Sequence, residues 1–235
     1  MIQAHIFFLY LGQTKFLIVN GEGTQKPEIL DLEGDDPTCM TISDFPKPPD
    51  MGVTWFRGSH GLVVGSHIVV CGGDYYSSST TSVTSSQKCY TLNQDGDWDL
   101  FVNMSHGRAF FSSIEYDGLG HVFGGVNQEA NGMVASSEVI NQDGQTEPGT
   151  DLPMPLHSHA MASFNKTHSL LTGGWGPEGY SDKTWYFVHA TQEFRPAPPM
   201  IMARMSHSIG LIVDHGRFKY IWTELLSIFL VDLPT

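Results

Sequence analysis

Ile68-Val69-Val70-Cys71-Gly72-Gly73, His121-Val122-Phe123-Gly124-Gly125 and Leu170-Leu171-Thr172-Gly173-Gly174 are one phrase written three times, a short apolar run closed by a glycine pair. A degenerate copy, Phe16-Leu17-Ile18-Val19-Asn20-Gly21, precedes them, with Asn20 where the first glycine would stand. The last glycines fall at 21, 73, 125 and 174, in steps of 52, 52 and 49 residues. Such a period decides architecture before any single motif does, because each repeat is a supersecondary unit that must bury its apolar face on the next.

A second register runs about fifteen residues ahead of the first, room for one more strand and a turn. It reads Arg57-Gly58-Ser59-His60-Gly61, Arg108-Ala109-Phe110-Phe111-Ser112, Leu156-His157-Ser158-His159-Ala160 and Arg204-Met205-Ser206-His207-Ser208. A third mark, Asn-Gln-Asp-Gly, stands at 93–96 and at 141–144. Asp-Gly between β-rich flanks is a hairpin-turn signal. It lacks the closing bidentate acid and the helices of a Ca²⁺ loop, so it is read as a turn and not as a metal site.

Each period holds four strand-like pieces, in the second repeat Gly61 to Val64, His67 to Cys71, Lys88 to Leu92 and Asp97 to Phe101. The expected unit is a four-stranded antiparallel blade. Asp44-Phe45-Pro46, Asp151-Leu152-Pro153 and Pro198-Pro199-Met200 close successive units, with proline ending an outer strand.

The pattern resembles the kelch family, in which an apolar strand, a Gly-Gly, an aromatic on the outer strand and an Arg-x-x-His-Ser opening recur. Gly72, Gly73, Trp98, Gly124, Gly125, Gly173, Gly174, Phe194, Arg204 and His207 carry the resemblance over roughly residues 5 to 220. Asn20, Phe111 in place of a histidine, and a third repeat without an outer Trp depart from it. The resemblance implies an all-β, kelch-type β-propeller of four to five blades, incomplete or truncated as a ring. The expectation is one domain over 1–235, with blades at 5–46, 58–104, 108–153 and 156–200 and a degenerate fifth at 204–235. In that fifth unit Thr223 and Glu224 stand where the next glycine pair is due. The tail, ending Asp232-Leu233-Pro234, reads as a blade whose loop was deleted, as an imperfect gene model or an alternative transcript would leave it.

Composition agrees with many short strands and tight turns: 25 glycines, 13 prolines and an apolar fraction of 40% over 235 residues. A formal charge of -13 repels phosphate backbones and anionic headgroups, so neither nucleic acid nor a membrane surface is an expected partner. Cys39, Cys71 and Cys89 show no CxxC spacing for zinc or redox chemistry. On neighbouring antiparallel strands Cys71 and Cys89 would approach disulfide distance, leaving Cys39 unpaired; a fully reduced trio is the alternative. Asn103-Met104-Ser105 and Asn165-Lys166-Thr167 are glycosylation sequons, which lean the location towards the extracellular side over the cytoplasm. Ile6 to Leu11 is too short and too poor in basic residues for a signal peptide, and no stretch is long enough to cross a bilayer.

Eleven histidines invite a metal hypothesis, with His157-Ser158-His159 its sharpest case. Recurrence of His60, His159 and His207 in one slot of the repeat instead indicates a structural hydrogen-bonding role, and neither metal nor other cofactor is expected. Catalytic templates (Gly-x-Ser-x-Gly, a phosphate loop, His-Glu-x-x-His) do not occur, and no catalytic residue is assigned.

By resemblance, the loops after each Gly-Gly line one face around the central channel and carry the contact residues. These are Asp74, Tyr75 and Tyr76 in the second unit, Asn127, Gln128 and Glu129 in the third, and Trp175, Glu178 and Tyr180 in the fourth. For Tyr75 and Tyr76, packing over their own blade is the favoured reading, and for Trp175 packing and contact stand equal; Ser77 to Ser86 reads as a soft, mobile loop. The leading function is a non-enzymatic scaffold binding a protein or peptide. The competitor is a secreted carbohydrate-active propeller, galactose-oxidase-like, epimerase-like or lectin-like. The partner's identity, the blade number of the intact protein and the oligomeric state are not legible in the sequence.

Overall fold

The computed structural model describes residues 7–10, 15–19, 26–31, 38–46, 53–77, 81–129, 132–214, 217–223 and 230–232. Among them there is no helix. The first sheet is an antiparallel meander of β1 (Phe7–Tyr10), β2 (Lys15–Val19), β3 (Glu28–Asp31) and β4 (Thr38–Thr41). The second has β5 (Val53–Val64), β6 (His67–Ser77), β7 (Ser82–Ser85), β8 (Lys88–Leu92) and β9 (Trp98–Asn103). Its order is β5-β6-β8-β9, with β7 paired to the far end of β6.

The third sheet, β10 (Ser112–Tyr116) and β11 (Leu119–Phe123), passes through the small hairpin β12 (Val126–Asn127) and β13 (Gly132–Met133) to β14 (Ser137–Ile140) and β15 (Thr146–Pro148). The fourth repeats this as β16 (Ala160–Ser163) and β17 (His168–Thr172), hairpin β18 (Trp175–Gly176) and β19 (Gly179–Tyr180), then β20 (Thr184–Val188) and β21 (Glu193–Ala197). A fifth sheet holds β22 (Ser208–Asp214), β23 (Arg217–Thr223) and β24 (Leu230–Asp232). The glycine pair due at 223–224 falls partly outside the described residues, as does the sequence 224–229 that would replace its loop.

First strands of successive sheets pack on one another, β1 on β5, β5 on β10, β10 on β16 and β16 on β22. The joints between sheets are main-chain bonds. Phe110 N donates to Gly58 O at 2.8 Å, Ser158 N to Phe110 O at 2.7 Å and Ser206 N to Ser158 O at 2.7 Å. All four residues have positive φ (71°, 54°, 53° and 55°), which turns each peptide towards the neighbouring sheet. A second set of bonds starts from the glycine pairs: Gly73 N donates to Arg108 O, Gly125 N to Leu156 O and Gly174 N to Arg204 O, at 2.9, 2.8 and 2.8 Å. The first glycine of each pair leaves room for this approach. A Cβ on Gly124 would lie 2.7 Å from Leu156 O, on a backbone at φ +63°.

These bonds correct the alignment of the second unit. Phe56, not Arg57, is equivalent to Arg108, Leu156 and Arg204, and Ser59, not His60, takes the slot of Phe111, His159 and His207. Pairing of Ser59 with Gly72 and of His60 with Cys71 fixes the shift. The Arg-Gly-Ser-His spelling aligns Arg57 with Arg108, whereas the positive-φ residue Gly58 is what matches Phe110 in the fold. The same sheet also begins earlier than the expected residue 58, because Val53 to Arg57 pair with the stretch of β6 beyond the glycines.

The Phe56/Arg108/Leu156 slot carries a different interior in each unit. Arg108 is fully buried: Nη1 donates to Gly124 O (3.0 Å) and Ser136 O (2.9 Å), and Nη2 donates to Glu138 Oε1 (2.6 Å). The other Glu138 oxygen accepts Ser105 N at 2.7 Å. By strand register Glu138 pairs with Val122, Trp185 with Leu171 and Tyr90 with Val70, so these three are equivalent. Where the first position is Leu156 its apolar cluster includes Trp185, and where it is Phe56 the cluster includes Tyr90, Phe45 and Tyr75. Charge meets charge in one unit and ring or aliphatic surface meets ring in the others.

Cys71 and Cys89, directly opposite on β6 and β8, form a disulfide, and Cys39 is free and exposed, its Sγ donating to Glu28 Oε2 at 3.0 Å. Trp98 on the outer strand donates Nε1 to Ser43 O at 3.0 Å and packs edge-on against Phe45. Each Asn-Gln-Asp-Gly is a tight turn closed by Asn Oδ1, which accepts two backbone amides in both copies.

Candidate binding surface

Every four-stranded unit has two ends. The glycine pairs, the extra hairpins β6–β7, β12–β13 and β18–β19, and the connections between units lie at one end; the Asp117-Gly118 turn and the 164–167 turn lie at the other. The residues expected to make contacts all belong to the first end, but the structure sorts them. Asp74, Tyr75 and Tyr76 are not in a loop. They continue β6 past its glycines and pair with Ser85, Thr84 and Val83 of β7. The expected mobile stretch from Ser77 is thus β-hairpin on both sides of residues 78–80, because Thr- and Val-rich sequence there suits a strand.

Tyr75 is buried, stacked on Phe56 with centroids 4.4 Å apart and donating its hydroxyl to Pro46 O at 3.1 Å. Burial first, then the Tyr90 phenol, pushes its pKa up. Asp74 is buried too: its carboxylate accepts Ser85 Oγ at 2.7 Å and, across the joint, Gln128 Nε2 at 3.2 Å. Ser85 Oγ in turn accepts Gln128 N at 3.1 Å. Burial raises the Asp74 pKa against the opposing pull of Ser85, Gln128 and Arg57. Asn127 is buried, its Oδ1 capping the turn at Glu129 N (2.9 Å), and Glu129 is exposed. Asp74, Ser85 and Gln128 therefore lock one hairpin to the next, Asn127 caps the turn of its own hairpin, and Tyr75 serves the core.

The fourth unit and the joints between first strands leave apolar and aromatic side chains nearer the surface. The Arg57 guanidinium lies 5.3 Å from the Phe110 ring centroid, a cation–π contact, and Phe110 reaches His157 at 6.4 Å. His157 bridges to Trp175 by paired backbone bonds, and Trp175 meets Tyr180 edge-on at 4.8 Å. Tyr180 is 58% exposed. Glu178, at the hairpin tip, is exposed and lies 3.8 Å from Lys183 Nζ. Beside this hairpin the connection to the fifth sheet bonds back onto it, Met200 N to Asp182 O (2.7 Å) and Arg204 N to Ser181 O (3.0 Å). Between those two anchors Ile201 and Met202 stand 87% and 58% exposed. Tyr180, Ile201 and Met202 are thus exposed apolar side chains at one end of the fourth unit, with half-buried Trp175 beside Tyr180.

Sequence reasoning missed Ile201 and Met202, whose signal was an apolar pair directly after Pro198-Pro199-Met200, read only as a strand stop. It also missed the contacts of Phe110 with Arg57 and His157, which follow from positive-φ positions that only backbone geometry reveals.

His159 and His207 pack against the first glycines of the preceding sheets, and His207 Nε2 shares a 2.8 Å hydrogen bond with Thr172 Oγ1. His60 Nδ1 shares one of 2.7 Å with Ser113 Oγ. Burial, followed by the imidazoles of His207, His60 and His157, pushes His159 down to about 3. Burial and then Arg204 push His207 down to about 4, and burial pushes His60 down to about 4.

Repeated antiparallel sheets, joined through their glycine pairs around stacked first strands, give the chain the fold of a kelch-type β-propeller. Human Kelch-like protein 33 is 30% identical to it over 126 residues, which are 53% of this chain and 22% of that protein. The chain therefore matches about a fifth of that relative's length. The solved structure of YjhT, a kelch-type propeller, superposes with a TM-score of 0.78 at 12% identity, covering 94% of this chain and 72% of that one. No family model matches the chain.

Proposed function

We propose that the chain is a non-enzymatic scaffold whose glycine-pair end binds a protein or peptide partner. The observation that carries this reading is the exposure of Tyr180, Ile201 and Met202, with half-buried Trp175 beside Tyr180. Large apolar side chains left in water on neighbouring backbone segments are the usual mark of a protein contact. Nearby, Arg57 stacks on Phe110, and arginine is among the residue types that carry most binding energy when a partner excludes water from it. The mixed character of this end, a cation and rings beside aliphatic surface, suits an extended peptide with apolar side chains and an acidic group.

A displayed library of random twelve-residue peptides, selected on the wild-type chain, tests this. Enriched peptides should lose about 30-fold in affinity on Trp175→Ala and on Ile201→Asp, the loss of roughly 2 kcal/mol typical of a central contact. Asp117→Asn, at the opposite end, should leave affinity unchanged. Peptides indifferent to both patch substitutions would remove the assigned surface, and turnover of simple sugars or stoichiometric bound copper would overturn the scaffold reading in favour of a carbohydrate enzyme.

A further inference from the structure

At the opposite end of the fourth unit, β16 and β17 are joined by a turn containing Asn165-Lys166-Thr167. Asn165 is exposed, and its Oδ1 accepts Thr167 N (2.8 Å), Thr167 Oγ1 (2.9 Å) and His168 N (2.7 Å). The three bonds fold the tripeptide into an Asx turn in which the threonine hydroxyl polarises the asparagine amide. The Nδ2 has no hydrogen-bond partner among the described residues. Asn165 also lines an open groove of about 890 Å³, with Tyr116, Phe164, Lys166 and His189, so that a bulky group there meets no packed neighbour.

The other sequon is arranged differently. Asn103 is the last residue of β9; Met104 is buried, with its N donating to Gln87 O (2.7 Å), and Ser105 N is tied to Glu138 Oε2. The Ser105 hydroxyl bonds to His106 Nδ1 (2.9 Å) rather than to Asn103. An independent feature bears on where the chain resides, since a buried Cys71–Cys89 bridge belongs to compartments that keep disulfides oxidised.

We infer that Asn165, and not Asn103, accepts an N-linked glycan. The donor class is an oligosaccharide carried on a lipid pyrophosphate. Asn165 Nδ2 forms the new bond to the anomeric carbon, the bond from that carbon to the pyrophosphate oxygen breaks, and the lipid pyrophosphate leaves with the electron pair. The displaced amide proton passes to a base of the transferase, and nothing is oxidised or reduced. The glycan lies at the end of the blade away from the proposed docking patch, so the inference stands independently of the scaffold reading.

The test is the full chain directed into the secretory pathway of cultured animal cells, with cell lysate and medium both read by N-glycosidase shift and intact mass. Wild type and Asn103→Gln should carry one N-glycan. Asn165→Gln and Thr167→Ala should carry none, and Thr167→Ser, which keeps the hydroxyl, should retain it. A wild-type chain with Cys71–Cys89 oxidised but no glycan, or a glycan found at Asn103, overturns the inference.

Discussion

Replacing Glu138 by glutamine probes the interior of the third blade with a single atom's change. The carboxylate uses both oxygens as acceptors, one for Arg108 Nη2 and one for Ser105 N. A glutamine amide has one acceptor, so whichever way it turns, an NH₂ faces an N–H, and the fully buried guanidinium loses its counter-charge. Breaking a buried pair from one side costs about 3–5 kcal/mol. That is a drop in Tm of roughly 6–20 °C for a domain of this size. The neighbouring blade supplies the control: Arg108→Leu with Glu138→Trp installs the Leu156/Trp185 combination at equivalent positions and removes both charges together. Urea unfolding of wild type, the two single variants and the double variant closes a thermodynamic cycle. The double variant should recover at least about 2 kcal/mol of the summed single losses, since matched apolar replacement of a buried pair is often close to neutral. An additive cycle, or a Glu138→Gln variant within about 1 kcal/mol of wild type, would refute the complementarity assigned to this slot.

Acid should weaken the fold well above the carboxylate range. His60, His159 and His207 stay neutral in the folded protein down to about 4, 3 and 4, whereas the unfolded chain protonates them near 6.5. Their stabilising contribution is complete above pH 6.5 and falls as the pH drops from there towards 4, by about 1.4 kcal/mol per pH unit for each histidine. Unfolding free energies measured between pH 7.5 and 4.5 should show this slope, and His159→Leu should flatten it by about one proton; a flat profile would contradict the neutral assignment. Cys71→Ala with Cys89→Ala releases a bridge spanning 18 residues, and chain entropy alone puts the loss at about 3 kcal/mol. A parallel loss on reduction of the wild type, seen as a lower urea midpoint, is the expected match, and an unchanged midpoint would show the bridge to be energetically idle.

The architecture was legible because the signals that specify it are main-chain signals spelled in sequence. Gly72-Gly73, Gly124-Gly125 and Gly173-Gly174 mark places where another backbone must come within bonding distance, and Asp-Gly marks the hairpins. What escaped was decided by burial across sequence-distant strands. Arg108 was visible as a repeat residue, yet its partner Glu138 sits on another strand and looks like an ordinary charge in Ser-Ser-Glu-Val-Ile. Asp74 and Gln128 read as loop polar groups because polarity is what a contact surface and an internal lock have in common. His60 was aligned by its letter, when the φ of Gly58 sets the register. At the glycine-pair end Trp175 and Tyr180 stand out by type and position, while the exposure of Ile201 and Met202 is hidden by their having the composition of a core.

The seam between blades, with Phe110, Ser158 and Ser206 each handing an amide to the carbonyl of its predecessor, involves atoms that every amino acid but proline possesses. A joint of that kind is blind to the identity of the modules it unites. Tandem duplication or loss of one module would leave compatible ends on both sides, and the pressure to keep a given neighbour falls on side chains such as Phe111 and His159 that cross the seam. Copy number in such an array can drift through evolution without the hinge between copies ever being reinvented.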